Sequence, residues 1–387
     1  MAGRGGAGRR PRAVFMAFGT QGDVFPIAAL AAAFACDQQE YAVVFITHSA
    51  HRSLSTHLAA SSVRYMPVSS PPVLAAEQLE NISSDSIQSN HERESFSMRK
   101  KAIQAEHRKE CLSFVEEVFG NDPSISGDFI VINFFALVCW TDIIHWMWAL
   151  FMESWGSWRN DCLNLSPIPF TDPVTNLPLW HVREESPLLL YGFSKEIVEC
   201  PGYWPFNAHA CGFWFLPMDW QFSCDKCMVL SGNINSSFGG MLCANHSSLE
   251  HFLTRNAYSS RPIFVGLSSI GSGSTAAALL AGIPQVTCPF LMDQFYWSER
   301  LQWLGVAPEP LQRQNLVPDN DDALSIHNAA DVLVGAIRSA LSPETKAQAA
   351  RIADRLSSED GIGEALRILK ARVLTQNKII SPFISSK

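Results

Sequence analysis

The stretch from Gly271 to Phe295 constrains the fold more than any other part of this sequence. A loop of small residues leads into an Ala-rich segment that ends at Gly282, and a short β-branched segment follows. This order predicts a loop, a helix and a parallel strand, because Ser274 and Thr275 suit the N-cap and first turn of a helix. Backbone N–H groups at a helix start lack partners, and the helix dipole adds partial positive charge there. The stretch therefore predicts an α/β unit whose helix start can hold a phosphate.

Two polar side chains, Asp293 and Gln294, follow the predicted strand at its C-terminal end. They could accept and donate hydrogen bonds to sugar hydroxyls, while the glycines of the loop let a diphosphate come close to the backbone. We therefore interpret the stretch as a nucleotide-sugar site, although most Gly/Ser loops before a helix are only turns. The candidate phosphate contacts are Gly271, Ser272, Gly273, Ser274 and Thr275.

The N-terminal half begins with the same kind of unit. An apolar run from Arg12 to Phe18 predicts a buried parallel strand, and an Ala-rich helix is predicted from Phe25 to Ala35. Asp23 lies in the loop between them, at the strand end where ligands bind in open α/β sheets. Its carboxylate could take the proton of an acceptor hydroxyl. The alternative is that Asp23 caps the helix, and position alone does not separate the two roles.

Three blocks of the sequence resemble one family. They are Phe18-Gly-Thr-Gln-Gly-Asp-Val-Phe-Pro-Ile, the stretch 166–194 that begins Ser-Pro-Ile-Pro-Phe-Thr-Asp-Pro, and the stretch 272–310 that begins Ser-Gly-Ser-Thr. These blocks are similar to UDP-dependent glycosyltransferases of GT-B type, on the sterol glucosyltransferase-like branch. The resemblance implies an α/β fold of two facing Rossmann-like domains, with the acceptor against the first and the UDP-sugar donor against the second. It also implies inverting transfer of a hexose, glucose in this branch, to a lipophilic hydroxyl such as that of a sterol.

The resemblance also assigns roles to residues. It makes Asp23 the base, because the family carries Asp or His at this place, and it implies no metal and no cofactor besides the UDP-sugar co-substrate. The turn Ser268-Ser269 contacts the donor in the family, although an ordinary Ser-rich turn explains these residues equally well. The implied donor contacts are Gly19, Thr20, Gly22, Ser268, Ser269, Gly271, Ser272, Gly273, Ser274, Thr275, Asp293 and Gln294.

The chain departs from the family in front of the donor loop. The family has further strand–helix units and a His-containing Gly-rich run there, whereas Gly271 is followed at once by Ser272 in this chain. The phosphate-contacting His and the segment that holds uracil and ribose are therefore absent. We expect two shortened domains, 13–244 and 261–375, joined by a linker 245–260 and flanked by a flexible basic tail 1–12 and a tail 376–387. A non-catalytic relative that binds a lipid or a partner protein is the alternative function.

Composition and charge restrict the classes of protein to which this chain can belong. The chain has 387 residues, of which 47% are hydrophobic, and this fits two globular domains with a sizeable core. Its formal net charge of −8 argues against general nucleic-acid binding. No apolar signal segment follows the basic first dozen residues, so we expect a cytoplasmic protein with peripheral contact to membranes.

Two features of the middle of the chain leave alternatives open. The tryptophan-rich segment 140–158 either packs a core between helices or forms an apolar wall for a flat acceptor. Four potential zinc ligands have a spacing close to that of a zinc ribbon, although a cysteine-containing loop without a ligand is the nearer alternative. These four are Cys224, Cys227, Cys243 and His246.

The missing donor segment predicts weak donor binding. Losing two buried hydrogen bonds to a charged group costs about 3–6 kcal/mol, or roughly two to four decades in affinity. Titration calorimetry of the purified chain should therefore give a millimolar affinity for UDP-glucose or none, with negligible turnover at micromolar UDP-glucose. Micromolar binding, or sterol glucoside formed by the purified chain at micromolar UDP-glucose, would contradict this prediction.

Overall fold

A computed structural model describes two units of the chain. The first unit comprises Met1–Leu190, Pro201–His209 and Ala365–Lys387, and the second comprises Tyr191–Cys200 and Ala210–Glu364. Within them, the residues that the structure describes are 9–69, 106–120, 127–133, 188–198, 200, 206–217, 220, 264–266, 272–290, 293–317 and 322–379. The domain boundaries expected from the sequence stay a prediction.

Four parallel strands form the sheet of the first unit, in the order β3-β2-β1-β4. The predicted first strand is confirmed, and in the central position Val14 lies opposite Val44 on one side and Ile130 on the other. Because parallel strands end at one edge of a sheet, the loops that follow β1, β2 and β4 meet at that edge. The strands are β1 (Arg12–Met16), β2 (Ala42–His48), β3 (Val63–Val68) and β4 (Phe129–Ile132).

Helices cover both faces of this sheet. They are α1 (Gln21–Asp37), α2 (Leu54–Ala60) and α3, whose described part spans 106–119. On one face the ring of Phe34 from α1 lies 5.9 Å from that of Phe15 and 5.2 Å from that of Phe129. On the other face Met16 packs against Cys111 of α3. The strand β1 is therefore buried from both sides, as expected for a central parallel strand.

Two expectations for the N-terminus are wrong. Arg9 and Arg10 belong to the folded unit rather than to a tail: the guanidinium of Arg9 pairs with the carboxylate of Asp128, and that of Arg10 donates to the carbonyl of Glu40 at 3.0 Å. The first helix begins at Gln21, four residues before the predicted Phe25. Residues taken as a loop therefore form the first helical turn.

The second unit contains the βαβ segment that the sequence predicts. Strand β7 (Phe264–Gly266) pairs in parallel with β8 (Gln285–Thr287), and α4 (Ser272–Leu280) lies between them along the chain. Gly282 has φ +64° and Ile283 N–H donates to the carbonyl of Ala278 at 3.0 Å. This hydrogen-bond pattern ends the helix at the glycine, as expected.

Four helices follow the βαβ segment. Val286 and Cys288 pack against Ala340 of α6 in a small core. A further pair of short strands, β5 (Leu189–Tyr191) and β6 (Ala208–Ala210), forms a separate two-stranded sheet. The helices are α5 (Gln294–Trp303), α6 (Ala323–Ala340), α7 (Pro343–Leu356) and α8 (Gly361–Ile379).

The last helix, α8, belongs to the first unit from Ala365 onward. Its Lys370 ammonium contacts the carboxylate of Asp37 at the end of α1, at 2.7 Å. Hydrogen bonding from Lys370 lowers the pKa of the Asp37 carboxyl. Residues 376–379 are helical, so this part of the expected C-terminal tail continues α8.

Several expectations fall outside the described residues. These are the tryptophan-rich segment 140–158, the linker 245–260 and the candidate zinc ligands Cys224, Cys227, Cys243 and His246. Among the described residues, no helix has the length and apolar character to cross a membrane.

The ion pair between Arg9 and Asp128 predicts a measurable contribution to stability. Asp128 is 5% exposed and also accepts from the backbone N–H of Arg12 at 2.8 Å. Asp128→Asn should lower the free energy of unfolding by about 2–4 kcal/mol, because it leaves the half-buried guanidinium without its counter-charge. Chemical denaturation measures this change.

The matched control is Arg64→Gln. Its ion pair with Glu117 is exposed, with 62% and 52% of the two side chains accessible. Such pairs contribute about 0–1 kcal/mol. Equal effects of the two substitutions would contradict the structural role of Asp128.

Candidate functional site

The loop from Gly19 to Asp23, directly after β1, is built as a helix cap. Thr20 is the N-cap of α1, and Asp23 occupies the third helical position. The Oδ2 atom of Asp23 accepts from both the backbone N–H and the hydroxyl of Thr20, each at 2.7 Å. The expected N-cap role of Asp23 is therefore wrong in position, since Asp23 is the acidic partner of a capping box.

The second carboxylate oxygen of Asp23, Oδ1, takes no part in the capping box. Across the part of the chain that the structure describes, Oδ1 of Asp23 has no hydrogen-bond partner. The side chain is half-buried, at the C-terminal edge of a parallel sheet. One carboxylate oxygen thus fixes the rotamer, and the other can accept a proton.

Gly19 allows Asp23 to fold back over the loop. Its φ is +116°, and a Cβ built on it would lie 2.6 Å from Oδ2 of Asp23. No side chain fits at that distance, and the left-handed backbone favours glycine. Gly22 differs, because an added Cβ would meet only the hydroxyl of Thr20, at 3.6 Å.

Two side chains from neighbouring strand ends hold this loop. Asn133, directly after β4, accepts from Phe18 N–H at 3.0 Å and donates to the Phe18 carbonyl at 2.6 Å. Its amide also lies 3.4 Å from the carbonyl of Asp23. His51, in a 3-10 turn after β2, places Nε2 3.0 Å from the carbonyl of Gly19.

A buried aromatic cluster lies next to this loop. The ring of Phe18 is 4.9 Å from that of His48 and 4.5 Å from that of His107, and the two imidazoles stack at 5.1 Å. Burial lowers the pKa of His107. The Sγ atom of Cys111 lies 3.6 Å from Nε2 of His107, and burial raises the pKa of this thiol to about 12. Burial therefore favours the neutral forms of His107 and Cys111, and both side chains belong to the packing around Phe18.

The start of α4 presents only part of the predicted donor loop. The helix begins at Ser272, so Ser274 is not its N-cap. Gly273 is exposed, and a Cβ added to it meets no atom within 4 Å. Thr275 is fully buried, and its hydroxyl has no hydrogen-bond partner among the described residues. The open surface at the helix start is thus formed by Gly273 and half-buried Ser274.

Asp293 and Gln294 lie where α5 begins, and local hydrogen bonds orient both side chains. The Oδ2 atom of Asp293 accepts from the indole N–H of Trp297 at 3.0 Å. The Oε1 atom of Gln294 accepts from the backbone N–H of Phe290 at 2.7 Å. These bonds hold the two polar groups at the edge where β8 ends.

The predicted site residues thus occur in two groups. Gly19, Thr20, Gly22 and Asp23 share one loop of the first unit, while Ser272, Gly273, Ser274, Thr275, Asp293 and Gln294 follow the strands of the second. Ser268, Ser269 and Gly271 lie outside the described residues. Sequence reasoning missed His51 and Asn133. Asn133 could have been found, because it directly follows the apolar run Phe129–Ile132.

Curated proteins are similar in sequence to parts of this chain. A sterol 3-beta-glucosyltransferase of Arabidopsis thaliana is 35% identical over 96 residues, which are 25% of this chain and 14% of the relative. O-mycaminosyltylonolide 6-deoxyallosyltransferase of Streptomyces fradiae is 23% identical over 287 residues, covering 61% of each. The chain is thus similar to sterol 3-beta-glucosyltransferases over about a quarter of its own length, and it spans only a small part of these relatives.

Solved structures agree on the fold. The glycotransferase of kitacinnamycin matches with a TM-score of 0.51 at 12% identity, covering 94% of this chain and 100% of that one. A crystal structure of LpCGTa in complex with UDP matches with a TM-score of 0.50 at 14% identity, covering 94% and 99%. The expected GT-B fold class is confirmed by these matches. No protein-family model matches the chain.

The crowding at Gly19 predicts opposite effects of two alanine substitutions. Gly19→Ala should lower the free energy of unfolding by about 2 kcal/mol or more, because it strains the backbone and displaces Asp23. Gly22→Ala should be neutral or stabilise by up to about 1 kcal/mol, since alanine favours the helix at an uncrowded position. Thermal or chemical unfolding of both variants measures this. A Gly19→Ala protein as stable as the parent would mean that the loop is not built this way.

Proposed function

We propose that this chain transfers a hexose, glucose in the first instance, from a UDP-sugar to the hydroxyl of a lipophilic acceptor such as a sterol. The observation that carries the proposal is the state of Asp23. One oxygen is anchored by Thr20, and the other has no partner among the described residues, at the sheet edge where ligands bind. The partial match to sterol 3-beta-glucosyltransferases supports the acceptor class.

The reaction is a direct displacement at the anomeric carbon. The acceptor oxygen forms a bond to that carbon, and the bond from the carbon to the UDP oxygen breaks with its electron pair leaving on UDP. Asp23 takes the acceptor's proton through Oδ1 as the new bond forms. Attack from the face opposite the leaving group inverts the configuration at the carbon.

On the donor side, the start of α4 would stabilise the leaving diphosphate. Backbone N–H groups at Gly273 and Ser274 belong to the first helical turn, where amides lack intrahelical partners. No side chain blocks the approach to Gly273. Asp293 and Gln294, oriented by Trp297 and Phe290, would contact sugar hydroxyls.

Apolar surface near the base supports a lipophilic acceptor. Ile130 and Ile132 of β4 are 45% and 41% exposed, and Asn133, which binds the backbone of Phe18, follows directly. Exposed apolar side chains beside a polar site favour a hydrophobic ligand that carries a single polar group. A sterol has this character, with a single hydroxyl on a flat hydrocarbon body.

Replacing the base tests the proposal. Asp23→Asn should lower the rate of glucoside formation by about 10²–10⁴, because the amide cannot take the proton. Product is measured by mass spectrometry with UDP-glucose far above the millimolar range, so that weak donor binding does not limit the reaction. The fold should be retained, since the amide oxygen still accepts from Thr20.

A second substitution separates the base from the cap. Asp23→Ala removes both roles, and it should additionally cost about 1 kcal/mol of stability. If the parent chain forms no glucoside and does not bind UDP, the non-catalytic alternative replaces the proposal. If Asp23→Asn keeps full turnover, Asp23 is a cap and not the base.

A further inference from the structure

We infer that His51 is a positioning residue for Asp23, acting through the peptide group that joins Gly19 to Thr20. The inference rests on the proposed function only for the role of Asp23 as base. The link itself follows from two hydrogen bonds that join the imidazole of His51, the peptide group and the carboxylate of Asp23.

The peptide group between Gly19 and Thr20 is bonded on both of its sides. Its carbonyl oxygen lies 3.0 Å from Nε2 of His51, and its N–H donates to Oδ2 of Asp23 at 2.7 Å. Rotating this peptide plane would break both bonds at once. The orientation of Asp23 therefore depends on His51, although the two residues are 28 positions apart in sequence.

The tautomer of His51 follows from its partner. A carbonyl oxygen only accepts hydrogen bonds, so Nε2 must carry the proton and donate. Donation to the carbonyl polarises the peptide group and makes its N–H a stronger donor to the carboxylate. The link therefore strengthens the bond from Thr20 to Asp23 and does not merely fill space.

The surroundings hold the imidazole in this pose. His51 is 7% exposed, and its ring meets that of Phe25 edge to face at 6.0 Å. The 3-10 turn Ser49–His51 follows β2 directly, so the strand fixes where the ring stands. A glycine is needed at position 19 for this link. Its backbone has φ +116°, its carbonyl meets His51, and the side chain of Asp23 occupies the space that a Cβ would need.

The Thr20 amide reports on this link without any substrate. In the isotope-labelled full chain, His51→Phe should move the Thr20 amide proton upfield and speed its hydrogen exchange by about tenfold, the loss of one hydrogen bond. His51→Gln should keep both values near those of the parent, because its side-chain amide can donate to the same carbonyl. Phe25→Leu removes the ring contact but keeps the imidazole N–H donor, so it should change the Thr20 amide much less than His51→Phe does.

A double substitution tests the coupling. In Asp23→Ala the Thr20 amide has already lost its acceptor, so adding His51→Phe should change its shift and exchange little further. An unchanged Thr20 amide in His51→Phe would overturn the inference, as would an equal effect of Phe25→Leu. Amides of β1 and β2 serve as the check that each variant is folded.

Turnover then separates the two proposals. If the parent forms glucoside, His51→Phe should lower kcat about tenfold with little change in KM, and His51→Gln should restore it. If the parent forms none but the Thr20 amide responds as described, the proposed function fails and the positioning link stands. A lower kcat with an unchanged Thr20 amide would refute the link.

Discussion

The central strand β1 has no face in contact with solvent, and the polar groups of the first unit are arranged around this burial. The side chains from Ala13 to Met16 are fully buried. Charged or polar side chains in such a position are costly, so they occur at the two ends of the strand. At the start, Asp128 binds Arg9 and the backbone of Arg12. At the end, Asn133 binds both backbone groups of Phe18.

Both of these polar residues flank the same neighbouring strand, β4. Asp128 directly precedes it and Asn133 directly follows it. Pairing in register, with Val14 opposite Ile130, brings each of them to the matching end of β1. The register of β1 against β4 thus sets the point at which the chain turns away from the sheet and presents Asp23.

The cap and base roles of Asp23 do not exclude each other. A capping box needs one carboxylate oxygen, and Thr20 takes Oδ2 with its N–H and its hydroxyl. Proton transfer needs only the other oxygen. The cap also fixes the rotamer of the side chain, and an oriented base needs less reorganisation when the acceptor arrives.

Sequence patterns predicted elements whose signals are local. The start of the helix Pro343–Leu356 carries such a local signal, because Ser342 caps it and Pro343 suits its first position. The end of α4 at Gly282 was found for a similar reason. The start of α1 was missed, although Thr20 followed three residues later by an acid is a capping signal.

Contacts between distant backbone and side-chain groups could not be predicted in this way. His51 binds a carbonyl, which every residue carries, so no pattern of residue types marks Gly19 as its partner. The burial of Thr275 likewise depends on how α4 packs in its unit. A helix-start motif predicts that backbone N–H groups are available in the first turn. It does not predict which side chains of that turn face a ligand and which are buried.

The assignment of α8 from Ala365 onward to the first unit bears on how the chain folds during synthesis. Lys370 meets Asp37 across 333 positions of sequence. Because a ribosome delivers the N-terminal side of a chain first, the first unit lacks its last helix until synthesis has passed Ala365. A fragment that stops before Ala365 would therefore lack part of its own N-terminal folding unit.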